Sequence, residues 1–170
     1  MVQEVQIRPL LSSDVDAVVE IALAAWQPII ARLRQEMGDE LFMLVKPDWQ
    51  QAKARWVRKA CAPDSSAIVA VAEVPQNNGQ AAMVVGFCIC YARPALGIGE
   101  IGNNAVHPDW QRRGIATRLY QYVFEQLRER GMRYVQVRTG GGRAHAPARR
   151  AYQKAGFDVA LPQVEYYRKL

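Results

Sequence analysis

The sequence predicts an α/β (α+β) fold with a mixed central sheet flanked by helices, in a single domain over residues 1–170. Three observations lead there. Residues 67–74 (AIVAVAEV) and 83–91 (MVVGFCICY) are β-rich runs joined by the turn-forming segment PQNNGQ, which reads as a hairpin and so as antiparallel pairing. Residues 99–139 then follow a strand–loop–helix–strand order, the pattern of a right-handed crossover between two parallel strands. The chain has 170 residues, half of them hydrophobic, enough to bury a core and too apolar for disorder.

Taken in order, residues 5–10 are expected as a short strand. Ser12 and Ser13 precede Asp14 and Asp16, a signature of a helix start. Val15, Val18, Val19, Leu23 and Trp26 keep helical spacing, Pro28 is expected to interrupt it, and residues 29–37 resume as a second helical piece ending near Gly38. Residues 48–60 predict an amphipathic helix with Trp49, Ala52, Trp56 and Val57 on one side. After the hairpin and the strand at 99–106, Ile115, Leu119, Val123 and Leu127 recur every four residues and predict a helix over 115–130, stopped by Gly131. A strand is expected at 134–139, a short helix at 145–155 ended by Gly156, and a last strand at 163–168.

Composition narrows the function. No apolar run approaches the roughly 20 residues that span a membrane, and MVQEVQIRPL lacks a signal-peptide pattern. A soluble cytoplasmic protein without membrane partners is therefore expected. Cys61, Cys88 and Cys90 are odd in number, and two residues apart on a strand is a poor disulfide geometry, so packing thiols are expected. Too few ligands stand near them for a metal, and none is expected. The net charge of +6 is local: residues 111–154 carry eleven Lys/Arg and two Glu, whereas the rest of the chain is net acidic. A local basic segment suggests an anionic ligand, against the plainer reading of a solvated helix face.

The densest charge lies in HPDWQRRGIATR, residues 107–118. Gln111–Thr117 falls between a strand end and a helix start, where the first backbone N–H groups lack internal partners and the helix dipole is positive. Gly114 lets a ligand approach the backbone, Ala116 extends the open surface, and Arg112, Arg113 and Arg118 add formal charge. Together they make a phosphate site, although the motif is neither a P-loop nor a GxGxxG fingerprint. Basic residues around a glycine at a helix start suit a compact polyphosphate. Nucleic-acid binding would call for interleaved aromatics or a recognition helix, and is not expected.

Residues 111–116, QRRGIA, resemble the Q/R-x-x-G-x-G/A signature of the GNAT superfamily of N-acetyltransferases. Residues 100–108, EIGNNAVHP, look like that family's fourth strand, and residues 145–157, HAPARRAYQKAGF, resemble its N-x-x-A-x-x-x-Y-x-x-x-G-F segment, with His145 in place of the usual Asn. The resemblance implies the GNAT fold, with a parallel strand pair splayed at the acetyl-CoA site. It implies acetyl-CoA as cosubstrate, a small-molecule or protein amine as acceptor, and a homodimer as one arrangement. It places the pyrophosphate on the backbone amides of Arg112, Arg113, Gly114, Ile115, Ala116 and Thr117, counts Gln111 and His145 among the cofactor-binding residues, and runs the pantetheine arm along Asn104, Ala105 and Val106 as an added strand. The Val106 N–H then polarises the thioester carbonyl.

The same resemblance implies Glu100 as general base and Tyr152 as the acid for the departing thiolate. Taken only as residues, Glu100 could equally be an exposed strand carboxylate and Tyr152 a core tyrosine. Asn103 and Asn104 either orient a carbonyl or water or mark a bulge near Gly102. His145 either contacts the pantetheine or caps its helix. Arg149, Arg150 and Lys154 either reach the 3′-phosphate or are solvated charge, and Trp26 and Phe42 either line the acceptor side or pack in the core. His107 before Pro108 reads as structural. The implied function is acetyl transfer to a primary amine through a tetrahedral intermediate; the alternative is a non-catalytic acyl-CoA sensor.

Overall fold

A computed structural model describes residues 4–76 and 81–170. Five strands form one sheet in sequence order: β1 (Gln6–Pro9), β2 (Ile68–Val74), β3 (Met83–Arg93), β4 (Ile98–Val106) and β5 (Tyr134–Val137). The first three neighbour pairs are antiparallel and β4–β5 is parallel, as the hairpin and the crossover require. Residues 77–80 of the expected PQNNGQ turn lie outside the described residues.

Strand alternation sends side chains to two cores. On one face, Cys88, Cys90 and Ile101 pack under α4 (Ile115–Glu129), whose Ile115, Leu119, Val123 and Leu127 are all buried, and under Tyr152 of α5 (Ala146–Lys154). On the other, Phe87 and Ile89 meet Val18, Val19, Ile21 and Ala22 of α1 (Val15–Met37) and Val57 and Ala60 of α3 (Trp49–Ala60). Cys88 and Cys90 share a face as expected, and all three cysteines are free and buried. Burial pushes the thiols up, Cys61 to about 11 and Cys90 to about 12, so they pack rather than react.

The start of α1 is pinned electrostatically. The Arg8 guanidinium bonds Asp14 at 2.6 Å and Glu73 at 2.7 Å, and Asp14 also accepts the Leu11 N–H at 2.7 Å. Burial alone would raise the Asp14 carboxyl, but these hydrogen bonds and the Arg8 charge hold it below its ordinary value.

Four expectations are corrected. Pro28 does not interrupt the helix: α1 runs unbroken from Val15 to Met37, because packing on both sides of the proline, at Ile21, Ala22 and Ile30, outweighs the single backbone bond it removes. An unexpected helix, α2 (Asp39–Val45), follows at Gly38. β5 ends at Val137 rather than at 139. The strand expected at 163–168 does not form: residues 157–170 hold no regular element, and Val164 and Tyr166 are 70% and 90% exposed. A strand needs a partner for its backbone groups, and this segment has none among the described residues.

Candidate active site

β4 and β5 pair only over Ile98–Ile101 and Tyr134–Val137. Beyond Ile101, β4 keeps β3 on one side while β5 has ended. The register with β3 shifts between Ile89 and Cys90, so that Gly102 is the extra residue of a β-bulge on β4. A Cβ there would lie 3.1 Å from both Trp56 and Tyr91, so any larger residue requires those rings to give way by a few tenths of an ångström. Strand alternation after the bulge sends the consecutive asparagines to opposite faces. Asn103, opposite Ile89, is buried toward α1; Asn104, opposite Cys88, points toward α4 and α5.

Past the bulge the backbone of β4 is available. His107 N–H bonds Val85 O at 2.9 Å, so in an antiparallel ladder the alternating residues Val106 and Asn104 turn their backbone groups away from β3, toward the open side. Gln111 folds back to donate to the Val106 carbonyl at 3.1 Å, leaving the Val106 N–H facing the cleft.

The cleft leads to the basic loop. Arg112 and Gly114 adopt left-handed conformations, with φ of 63° and 78°; Arg112 is the one non-glycine residue with positive φ among the described residues. Such geometry costs about 1–3 kcal/mol for a residue with a Cβ and collects at ligand sites. It delivers the chain to α4, whose opening amides at Ile115, Ala116 and Thr117 have no intrahelical partner. A Cβ on Gly114 would meet nothing within 4 Å, so the cradle is open. Arg112 and Arg118 are exposed beside it. Arg113 turns back, stacking on Trp110 at 4.5 Å and donating to the Asp109 carbonyl at 3.1 Å.

Tyr152 sits at the other end of the cleft, and it is both core and polar. Its ring packs against Tyr120 and Phe157. Its hydroxyl oxygen accepts from Asn104 Nδ2 at 3.1 Å, while the Asn104 Oδ1 accepts from the Tyr120 hydroxyl at 2.8 Å. Tyr120 thereby fixes the amide orientation, and the Tyr152 proton stays free to be donated. Burial raises the Tyr152 phenol above its ordinary value, with the Asn104 bond opposing. Tyr120 was not expected from the sequence, although its place between Leu119 and Val123 puts it on the buried face of α4.

Glu100 lies on the opposite face, across from Tyr91. It is ion-paired with Arg93, and its Oε1 is 3.9 Å from Arg138 Nη1. It is mostly buried rather than the exposed carboxylate of the plainer reading. His145 makes no capping hydrogen bond; its ring meets Trp26 edge-on at 6.5 Å. Burial, then the Arg149 charge, lowers its pKa. Arg149 is structural, donating to the carbonyls of Gly140 and Gly142 at 2.7 and 2.8 Å, whereas Arg150 and Lys154 are exposed. His107 accepts the Asp109 N–H, as a structural residue would. Phe42 is buried under Arg34; Trp26 instead lines a cavity of about 350 Å³ between α1, α3 and His145. Sequence reasoning missed Lys53 in that cavity, although a charge inside the Trp49–Trp56 stripe was the available signal.

The Acetyltransferase (GNAT) family model matches residues 24–157. The chain belongs to the GNAT family of acetyltransferases. An uncharacterised N-acetyltransferase of Bacillus subtilis (strain 168), YsnE, is 29% identical over 68 residues, 40% of this chain and 45% of that protein, so the match spans under half of the relative. Among solved structures, a GNAT-family protein from Desulfovibrio desulfuricans aligns at TM-score 0.67 and 21% identity, over 93% of this chain and 87% of that one. The aminoglycoside N-acetyltransferase AAC(6′)-Iy, in complex with CoA, aligns at TM-score 0.66 and 16% identity, over 99% and 97%. At these identities the structures establish the shared fold. Among the described residues, no helix is long and apolar enough to cross a membrane, and no cluster of metal-ligating residues is present.

Proposed function

We propose that residues 1–170 are a single N-acetyltransferase domain that moves an acetyl group from acetyl-CoA to a primary amine by direct attack. The observation that carries this reading is the continuous open edge of β4, which starts at the basic cradle and ends at the bulge. The pyrophosphate rests on the amides of Arg112–Thr117, with Arg112 and Arg118 beside it. The pantetheine lies along Asn104–Val106 as an added strand. The open-edge N–H of Val106 stabilises the thioester oxygen as it gains charge.

In this mechanism Tyr152 gives its proton to the departing thiolate, and Asn104 keeps its hydroxyl turned to do so. Glu100 takes the proton from the amine, directly or through one water, reached at Oε1 on the looser Arg138 side. The reading also includes a homodimer, supported by the free edge of β5 and by six large apolar residues exposed between Val159 and Leu170; a 19.1 kDa particle in light scattering would remove that part.

The decisive experiment is acetyl-CoA binding. A ligand that binds the folded state alone stabilises it by about 2.7 kcal/mol at a hundredfold excess over Kd, so acetyl-CoA raises the Tm. Gly114→Glu puts a side chain at a left-handed position and a negative charge into the cradle, and abolishes the shift. A folded Gly114→Glu protein with parental affinity would refute the cradle.

A further inference from the structure

The cavity over the bulge has a chemistry of its own. Its walls include Trp26, Ile30, Trp49 and Trp56, and Trp56 touches β4 at Gly102. At about 350 Å³ it is at the small end of ligand pockets, which run to about 1,000 Å³. It therefore suits a compact molecule rather than a peptide chain or an oligosaccharide.

Its charge is one-sided. Lys46 and Lys53 line it, and no carboxylate does. The Lys53 ammonium lies 3.3 Å from the Trp26 ring centroid and makes no ion pair among the described residues. Burial, then the Lys46 charge, pulls Lys53 down to about 8, so near neutral pH it is a poorly hydrated cation without a counter-ion. Lys53 precedes Trp56 by three positions, about 4.5 Å along α3, so the cationic end of the cavity is one helical turn from the bulge.

We infer that the acceptor is a primary amine on a compact apolar or aromatic frame that also carries a carboxylate, which Lys53, with Lys46, anchors while the amine reaches the bulge. This rests on the acetyltransferase reading and adds the substrate class. A polycationic acceptor would set its ammonium groups against two lysines, one of them desolvated, with no carboxylate in the lining to offset them, a repulsion that selects against it.

Binding and turnover test it separately. Three tryptophans line the cavity, so their fluorescence reports occupancy without chemistry. In the CoA-bound protein, 3-phenylpropanoate should quench saturably and 2-phenylethylamine at least tenfold more weakly. The carboxylate affinity should fall as pH rises through about 8, as Lys53 loses its proton. The other ionisable groups of the cavity are Lys46 and His145; His145, with Glu36 opposing its depression, is already neutral in this window. In turnover, phenylalanine and 4-(aminomethyl)benzoate should exceed 2-phenylethylamine and benzylamine in kcat/KM by tenfold or more. Lys53→Met should bring that ratio within twofold. Equal binding of carboxylate and amine, a preference for spermidine, or acetylation of Lys53 itself as the main product would each overturn the inference. If neither CoA nor acetyl-CoA binds, while 3-phenylpropanoate still quenches saturably in the free protein, the acetyltransferase reading is refuted and the anion pocket stands.

Discussion

At the scale of single residues, the roles of Tyr152 and Glu100 separate by their dependence on pH. Tyr152→Phe removes only the hydroxyl that Asn104 orients, so the fold and CoA binding persist while kcat falls by about 10²-fold, the usual range for acid–base groups. Activity within twofold of the parent would leave Tyr152 as packing. Glu100→Gln keeps size but cannot accept a proton, and its deficit, again about 10²-fold near neutral pH, shrinks as pH approaches the pKa of the substrate amine and solvent supplies free amine. A deficit independent of pH would make Glu100 an orienting residue, which its contacts with Arg93 and Arg138 would then explain. Tyr152 was legible because it falls in a spaced motif. Tyr120 was hidden because its contribution is a hydrogen bond to a residue 16 positions earlier, and only the docking of α4 on β4 creates that contact. Lys53 was hidden for a related reason: its burial comes from the closure of α1 over α3.

Elements were legible where their periodicity reflects burial within the chain. Ile115, Leu119, Val123 and Leu127 repeat every four residues because one face of α4 meets the sheet, and the alternation along β3 records two cores, Cys88 and Cys90 on one side and Phe87 and Ile89 on the other. Local rules failed where tertiary contacts outvote them. Pro28 carries a helix-breaking preference of about 3 kcal/mol, yet α1 is held to the sheet by several buried side chains and stays whole. Residues 163–168 have β-forming side chains, but propensity records fit to a half-buried surface, and none is offered to them. On α3 the expected single face divides: Val57 enters the core while Trp49, Ala52 and Trp56 turn to the cavity. A helix that packs on a sheet and also walls a pocket shows a broad apolar stripe, and the stripe alone does not say where one duty ends.

Across the whole molecule, charge is distributed as the proposed CoA cleft would require. The segment from Gln111 to Lys154 contains both the cradle and α5, and it carries the excess of basic residues over an otherwise acidic chain. Part of that charge is committed to structure, since Arg113 stacks on Trp110 and Arg149 ties down the loop at Gly140 and Gly142. Arg112 and Arg118 remain exposed at the mouth of the cradle, where salt screens them with a Debye length of about 10 Å at 0.1 M. In the proposed complex the backbone amides of α4 sit against the phosphates and are screened less. CoA binding should therefore contain a salt-sensitive part from the arginines and a resistant part from the amides. Raising NaCl from 50 to 500 mM should weaken CoA binding several-fold without abolishing it, as calorimetry would measure. Replacing Arg112 and Arg118 together by Gln should flatten the salt dependence and lower affinity at low salt. If the double variant keeps the parental slope, the field comes from elsewhere, and the exposed Arg150 and Lys154 are the next cations to replace. If affinity vanishes at 500 mM even in the parent, the amides hold no phosphate, and the cradle reading fails with them.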